Sequence, residues 1–558
     1  MASEAGSPKR EPTPGTSAPS IPQKRAFDEG GHSPAVSSPL NPEVRFADAP
    51  PSDDAVQVRS KPVRAKKESL KKRESKGVTD SARATPDPKV VKDKEPEIEM
   101  AHAHASPFRY KLGAPKPFDF QPARGPATTH HHSINIEGQE AVQFFEGTDH
   151  AFNKKNFRYT HCIADPHFPS MNYFRQTEAE PYGPRLTHED SASHVFFDSS
   201  LRTVTTHKGF RMARANVAVR EGRWYWECKI TQGVKKPKEG ETKPEGGKHV
   251  RMGWARREAS LDAPVGFDAY SYGIRDFSGE KVFMSRPKDF FPPGEGIREG
   301  DVIGLEIQLP SEQLHRKIMA GEYNPAVDLA EDNNDESDIT APNIVRDRVP
   351  IRFKANMIFE KIEYHPTKEL EDLMNPSPAH SGGLQSAQPS PSNSAPSLRT
   401  LPKSYIKIYK NGQLMGTAFE DLLGFLPPAS RPMPQVGARE GLDDGMLGYY
   451  PAVSVFRGGA AEVNFGPEFW YPPPGYAPSA EADVEMNGEA NGTSPVRIRP
   501  VSDRYEEQIA EDIVYDVVDE VDFWMQDGGG EAGHVAALEK VGEIAPSRTE
   551  IKELVQGD

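Results

Sequence analysis

Short strand-like segments recur between residues 155 and 475 and constrain the fold more than any other feature of the chain. They include GRWYWECKI (222–230), HVRMGWA (249–255), DVIGLEIQL (301–309), IRFKANMIFEK (351–361), SYIKIYKNGQ (404–413) and YYPAVSVF (449–456). β-Branched and aromatic residues are frequent in them, several alternate apolar with polar positions, and Gly, Pro or Asp bounds them. Asn411-Gly412 lies between two such runs and is a favoured hairpin turn. With almost no helical periodicity in between, the pattern predicts an all-β fold, an antiparallel β-sandwich.

The composition indicates that only part of the chain can form such a domain. Of 558 residues, 53 are proline and 46 glycine, and only 35% are hydrophobic. We therefore expect one domain at 126–475, with its core from about 190, and polar surface insertions at 232–248, 310–345 and 366–402. Residues 1–125 predict a disordered tail, 476–502 a linker and 528–558 a flexible tail. The N-terminal tail contains the basic cluster RAKKESLKKRESK (64–76). This cluster suits capture by a nuclear import receptor, and the alternative is a run of charges exposed to solvent.

The charge distribution argues against a dedicated nucleic-acid-binding protein. The net charge is −15, with about +2 on the first 100 residues and −17 on the rest. Lys235, Lys236 and Lys238 are a possible DNA contact, but glutamates interleave with the lysines of this insertion. Cys162 and Cys228 are too few for a disulfide framework, which fits a reducing compartment. No apolar run is long enough to cross a membrane, and the N-terminal residues do not resemble a secretory signal.

No catalytic, metal or cofactor site is predicted. His130, His131 and His132 lie in a Gly/Pro/Thr context, whereas metal ligands must converge from a rigid frame. His161 and Cys162 are adjacent, but no third group is evident that would orient them as a nucleophilic pair. The chain also lacks phosphate-binding, dinucleotide-binding and nucleophile-elbow motifs.

The strand motifs in their order resemble the SPRY domain. The carriers are GRWYWECKI, GDVIGLEI (300–307), YIKIYKNG (405–412) and YYPAVSVFRGGAAEVNFGPEFWYPP (449–473). KGFRMARA (208–215), HVRMGWA and APVGFDAYSYGIRD (263–276) are similar to the Ash-two family, called Bre-two in fungi. That family supplies a subunit of COMPASS-type complexes, which methylate lysine 4 of histone H3. The resemblance implies a non-catalytic scaffold in the nucleus, and it does not extend to the zinc-finger and winged-helix region of animal relatives.

The resemblance also implies a partner-binding pocket. Five positions match the family's surface for an acidic segment of a WD40-repeat subunit: Phe210, Arg251, Pro264, Phe267 and Arg275. Two guanidinium groups among aromatic and proline surfaces suit bidentate binding of carboxylates. The alternative is that each arginine pairs with a local carboxylate, such as Asp276 beside Arg275.

Residues 503–527 predict an amphipathic helix. Its apolar positions recur at spacings of three and four: Ile509, Ile513, Val514, Val517, Val518, Val521 and Trp524. The opposite face is acidic, and three glycines from 528 end the helix. The family resemblance implies that the helix docks onto a small dimer of the dumpy-thirty type, called Sdc-one in fungi. The alternative is that the apolar positions pack on the sandwich.

Three functions remain open from the sequence. The first is a scaffold that holds a SET-domain methyltransferase active through a WD40 partner. The second is a SPRY substrate adaptor of a ubiquitin ligase, although two cysteines cannot build a RING finger or B-box. The third is an enzyme with unrecognised catalytic residues.

Overall fold

The computed structural model describes residues 114–526, except 136–139, 149–156, 169–170, 236–246, 332–343, 355, 376–387, 434–438, 440 and 477–496. Several sequence predictions lie outside the described residues. These are the basic cluster at 64–76, Lys236 and Lys238, most of the expected linker, and the tail at 528–558.

Twenty-three strands and four helices are described. The strands, in chain order, are β1 (Thr128–Ile134), β2 (Val142–Gly147), β3 (Phe157–Ala164), β4 (Phe174–Gln176), β5 (Leu186–Ser191), β6 (Phe196–Phe197), β7 (Thr203–Thr205), β8 (Arg211–Ala215), β9 (Gly222–Gln232), β10 (His249–Ala255), β11 (Ser271–Arg275), β12 (Lys281–Phe283), β13 (Arg286–Lys288), β14 (Val302–Leu309), β15 (Arg348–Phe353), β16 (Asn356–Ile362), β17 (Tyr364–His365), β18 (Tyr405–Lys410), β19 (Gln413–Glu420), β20 (Arg431–Pro432), β21 (Tyr450–Phe456), β22 (Ala460–Asn464) and β23 (Arg499–Pro500). The helices are α1 (Glu312–Ala320), α2 (Asp328–Glu331), α3 (Lys368–Met374) and α4 (Val501–Gln526). None of these helices is long and apolar enough to span a membrane.

Two large antiparallel sheets form the sandwich. The first sheet has the order β1-β2-β6-β7-β22-β9-β14-β18-β19, and β23 joins β9 in parallel beside β22. The second sheet has the order β13-β12-β11-β10-β21-β8-β5. Side chains of both sheets share one core, in which Trp226 of β9 meets Trp254 of β10 edge to face at 6.2 Å. The predicted all-β antiparallel class is therefore confirmed.

The middle of strand β9 is buried on both faces. Trp224, Trp226 and Cys228 point into the core between the sheets. On the other face, Tyr225 packs with Tyr409 and Ile498, and Phe469 covers them. The chain segment just before α4 thus closes the outside of the first sheet.

A third sheet joins the N-terminal extension to an insertion. Its order is β15-β16-β3-β4, so β3 and β4 of the N-terminal extension pair with a hairpin, predicted as part of the sandwich, that lies between β14 and β18 in the chain. Residues 114–125, predicted to belong to the disordered tail, contain a 3₁₀ turn at Pro117–Phe120, and buried Asp119 accepts from Arg352 at 2.7 Å. The ordered part therefore begins before residue 126.

The predicted insertions contain elements that complete the core. Helix α1 lies within 310–345, is capped by the Ser311 hydroxyl, and buries Leu314 and Ile318 in the main core. Its last turn ends at Gly321 in the left-handed conformation, a common helix stop. Helix α4 begins at Val501, two residues before the predicted start, because Val501 is buried and Ser502 N donates to Phe465 O at 2.9 Å.

Candidate functional site

The two predicted pocket arginines stand side by side on the second sheet. Arg251 of β10 and Arg275 of β11 are direct partners in the antiparallel register. Their strand neighbours Met252 and Ile274 point into the core, so both arginines project from the outer face. The Arg251 guanidinium lies 4.8 Å from the centre of the Phe210 ring, and Phe210 contacts Phe456. Three of the five predicted residues thus form one cluster, and we use the name basic pocket for all five.

The two arginines differ in their local partners. Arg275 donates to Glu280 on the next hairpin, and its side chain is 31% exposed. The alternative ion pair between Arg275 and Asp276 is wrong. Asp276 turns inward, where it accepts from Val250 N at 2.9 Å and lies 3.1 Å from His249 Nδ1. The hairpin turn brings Glu280 back to Arg275, a pairing that adjacency in sequence does not show.

Arg251 has no ion pair among the described residues. Burial, and then the charge of Arg275, lower the pKa of Arg251 to about 10. The guanidinium remains charged at neutral pH, and the nearby charges of Asp276 and Glu280 offset these two effects only in part. A carboxylate that approached this face would relieve that unfavourable environment.

The remaining two predicted residues belong to a tight turn above the same face. Phe267 N donates to Pro264 O at 3.0 Å, and the Phe267 side chain is 38% exposed. Ser454 Oγ accepts from Val265 N at 3.0 Å and fixes the turn to β21. The turn lies directly on Gly273 of β11, where a Cβ atom would stand 2.6 Å from Val265 O.

Helix α4 leaves its predicted apolar side exposed. We use the name apolar stripe for the seven predicted residues, each of which is between 41% and 57% exposed: Ile509, Ile513, Val514, Val517, Val518, Val521 and Trp524. The alternative that these residues pack on the sandwich is wrong. An exposed patch of large apolar side chains of this kind is typical of an interaction surface.

The acidic side of α4 is the side that packs on the protein. Asp516 and Asp519 are buried and each accepts from Arg346, both at 2.8 Å. Arg348 reaches the same two carboxylates. Arg175 of β4 holds Glu520 through two bonds of 2.9 Å. Burial alone would lower the pKa of Arg346, but the charges of Asp519, Asp516 and Asp512 raise it.

A cavity of about 510 Å³ lies between the first half of α4 and strands β3 to β5. Tyr159, His161, Thr187 and Tyr505 are among its lining residues, and Ile509 and Ile513 of the apolar stripe reach it. The cavity therefore continues the exposed side of the helix toward the N-terminal extension.

Other predicted candidates are placed as follows. Lys235 is exposed, three residues after the end of β9, and its contact with DNA stays a prediction. Both cysteines are buried, and burial raises the pKa of each thiol. His161 lies 3.0 Å from Glu189, and its neighbour Cys162 points to the opposite face of β3 and packs against Phe359.

The histidine triplet lies in strand β1, whose pairing with β2 shifts by one residue at His131. His130, His131 and His132 belong to β1, and His207 of a distant loop lies beside the last two. Burial, followed by the nearby His207, His131 and His130, lowers the pKa of His132 to about 4. Nothing in the local sequence signals this meeting, because His207 is far from the triplet along the chain.

Comparison with known proteins gives relatives over the whole chain. No protein-family model matches. The chain is 59% identical to "COMPASS component cclA" of Colletotrichum higginsianum, over 100% of both chains. It is 40% identical to "COMPASS component cclA" of Aspergillus fumigatus, over 91% of this chain and 81% of that protein. It is 27% identical to "COMPASS component BRE2" of Saccharomyces cerevisiae, over 71% and 92% respectively.

A solved human SPRY domain aligns with 50% of this chain and 98% of its own, at 15% identity and a TM-score of 0.22. The family assignment depends on the full-length relatives. On that evidence, this chain belongs to the family of COMPASS components that includes cclA, BRE2 and Ash2.

Proposed function

We propose that the protein is a non-catalytic scaffold subunit of a nuclear COMPASS-type complex that methylates lysine 4 of histone H3. It binds an acidic segment of a WD40-repeat subunit through the basic pocket. It binds a small helical dimer of the dumpy-thirty type through the apolar stripe. The SET-domain methyltransferase is then held in an active arrangement by contacts that this subunit organises. The names of the relatives support this function over a ubiquitin-ligase adaptor.

The exposed apolar stripe is the observation that carries the proposal. A soluble protein ordinarily turns the apolar side of a helix inward, but here buried ion pairs hold the acidic side inward instead. The helix is thereby fixed while its apolar side faces out. A fixed helix loses little conformational entropy on binding, which favours recognition of a helix in a groove.

The basic pocket supports an acidic partner because nearby carboxylates compensate the charge of Arg251 only in part. Arg251 lies against Phe210 on a partly buried surface and lacks an ion pair within the described ranges. A carboxylate placed between Arg251 and Arg275 accepts from both guanidinium groups and excludes water from the Phe210 ring. Charge-assisted bonds of this kind are stronger than neutral ones.

Val517→Glu tests the apolar stripe. It places a negative charge in the middle of the stripe, so co-purification with the small dimeric subunit should be lost. Gln526→Glu is the matched control, because it adds the same charge at an exposed position outside the stripe. If Val517→Glu still co-purifies with the small subunit like the control, the docking surface is wrongly assigned.

Arg251→Ala and Arg275→Ala test the basic pocket against a peptide of the WD40 subunit's acidic segment. We expect each to weaken binding by about 2–4 kcal/mol, with the larger loss for Arg251→Ala because Arg275 is already partly neutralised by Glu280. Arg202→Ala, an exposed arginine beside the first sheet, is the control. Losses below about 1 kcal/mol for both pocket variants would exclude this surface.

A further inference from the structure

An irregularity in β1 turns two neighbouring histidines toward the same place. The register of β1 against β2 shifts between His130 and His132, so that His131 is an extra residue without a partner on β2. Consecutive residues of a regular strand point to opposite faces, but a β-bulge re-aims a side chain. His131 Nδ1 and His132 Nδ1 accordingly lie 2.8 Å apart.

A third histidine reaches this position from another part of the sandwich. His207 lies in the loop that leads from β7 of the first sheet to β8 of the second. One ring nitrogen from each of His131, His132 and His207 lies within 4.8 Å of the others, and we call these three residues the histidine cluster. His130 is turned away and contacts Ser133 Oγ at 3.0 Å.

Fixed surroundings hold two of the rings and the loop that carries the third. His131 stacks on Phe196 at 3.9 Å, and His132 stacks on Phe144 at 5.2 Å. The loop of His207 is held on both sides, since Gly458 N donates to Thr206 O at 2.6 Å and Arg457 N donates to Lys208 O at 2.9 Å. A rigid frame of this kind is what distinguishes a metal site from a chance cluster of exposed histidines.

We propose that the histidine cluster binds one divalent transition-metal ion of the zinc type. The donor set is three imidazoles, which suits zinc, copper or nickel and does not suit calcium or magnesium, which take oxygen ligands. Ligand nitrogens at about 2.0–2.1 Å from a tetrahedral zinc ion lie about 3.4 Å apart, so small rotations of the side chains bring the cluster to that geometry. His131 and His207 are exposed, which gives the ion access and leaves a fourth position for water.

The bound ion would join two parts of the molecule. One ligand pair belongs to the N-terminal extension, and the third ligand lies three residues before Phe210 of the basic pocket. Metal binding therefore ties β1 to the loop that places Phe210 beneath Arg251. This inference does not depend on the proposed function, because the ion's effect is on the isolated chain.

Equilibrium dialysis of the tag-free full chain against Zn²⁺, after removal of metal with a chelator, tests the site. We expect His207→Ala and His131→Ala each to bind one zinc ion fewer, or at least tenfold more weakly, than the unchanged protein. His130→Ala is the matched control and should bind like the unchanged protein. The remaining histidines of the chain contribute equally to all samples.

A second measurement uses Co²⁺ in place of Zn²⁺. The unchanged protein and His130→Ala should show the visible absorption of a cobalt ion held by imidazoles, and His207→Ala should not, with circular dichroism confirming that each variant is folded. Equal zinc binding and equal cobalt spectra for His207→Ala and the unchanged protein would overturn the proposal. A loss in His130→Ala as large as in His207→Ala would overturn it as well, because the ligands would then not be the histidine cluster alone.

Discussion

Gly273 determines how closely the turn at 264–267 approaches the outer face of the second sheet. It is the direct partner of Gly253 of β10 in the antiparallel register. A side chain on Gly273 would occupy the position of Val265 O. The basic pocket therefore depends on a residue, Gly273, that contributes no functional group to it.

Gly273→Ala should lower the free energy of unfolding by about 2 kcal/mol or more, because the new methyl group overlaps a backbone carbonyl that cannot move alone. Urea unfolding measures the loss. Gly247→Ala is the control, since nothing lies within 4 Å of its added methyl group. Equal stability of the two variants would show that the turn is free to move off the sheet.

At the scale of single residues, the sequence predicts which residues belong to a site better than it predicts the side chains with which they interact. The five pocket residues come from motif similarity, and the structure places Phe210, Arg251 and Arg275 together. The ion pair from Arg275 to Glu280 depends on a hairpin, and the meeting of His207 with His132 depends on the contact between separate strands. Neither partner is visible in local sequence patterns.

Helix α4 shows how far periodicity can be used at the scale of an element. Spacings of three and four identify which residues share a side, and the predicted apolar stripe is present. They do not identify which side of the helix packs on the protein, because that depends on the surface that distant parts of the chain form. Here Arg175, Arg346 and Arg348 supply a basic surface, and the acidic side of the helix lies on it.

Arg346→Ala should loosen α4 from the third sheet. The change leaves the buried Asp516 and Asp519 with Arg348 as their remaining ion-pair partner among the described residues, at a cost of about 3 kcal/mol. Hydrogen exchange of amides in 504–526 should become faster. Val517→Glu is the matched comparison, since it alters the exposed side and should leave exchange unchanged in the isolated protein. Unchanged protection in Arg346→Ala would mean that other contacts fix the helix.

Buried pairs of arginine and carboxylate recur through the whole molecule. Arg214 holds Asp190 through two bonds of 2.8 Å, and Arg257 is paired with both Glu363 and Asp444. Arg220 lies between Glu312 and Asp443. Several of these pairs connect segments far apart in sequence, so they fix the arrangement of the sheets and insertions.

Acidification should remove part of this stabilisation. Burial alone would raise the pKa of Glu312, but the charge and hydrogen bond of Arg220 bring it to about 2. Because this value lies below the unfolded pKa of about 4.5, the stabilisation is complete above about pH 5 and declines as the pH falls toward 2. Glu312→Gln should therefore cost about 2 kcal/mol at pH 7 and progressively less on acidification.

Urea unfolding at several pH values checks this expectation. Asp262→Asn is the control, since that side chain is 71% exposed and its removal should cost little at any pH. A stability loss in Glu312→Gln that is the same at pH 7 and pH 3 would contradict the assignment.

For the whole molecule, the sequence predicts the fold class but not the contacts that join its separate segments. Alternating strands and turn residues predict the sandwich, because they reflect local burial. The third sheet joins 157–176 to 348–362, and the outer face of β9 is closed by residues near 498. Such contacts are determined by the tertiary fold. The sequence therefore does not show that the N-terminal extension and the insertions pack against other parts of the chain.

The short parallel strand β23 has a mechanical consequence for α4. It anchors the chain to β9 immediately before the helix, while the ion pairs to the third sheet anchor the helix along its length. The helix is thus fixed to the protein at its N-terminal end and along its acidic side. A partner that binds the apolar stripe is therefore held in a fixed orientation relative to β9 and the core of the sandwich.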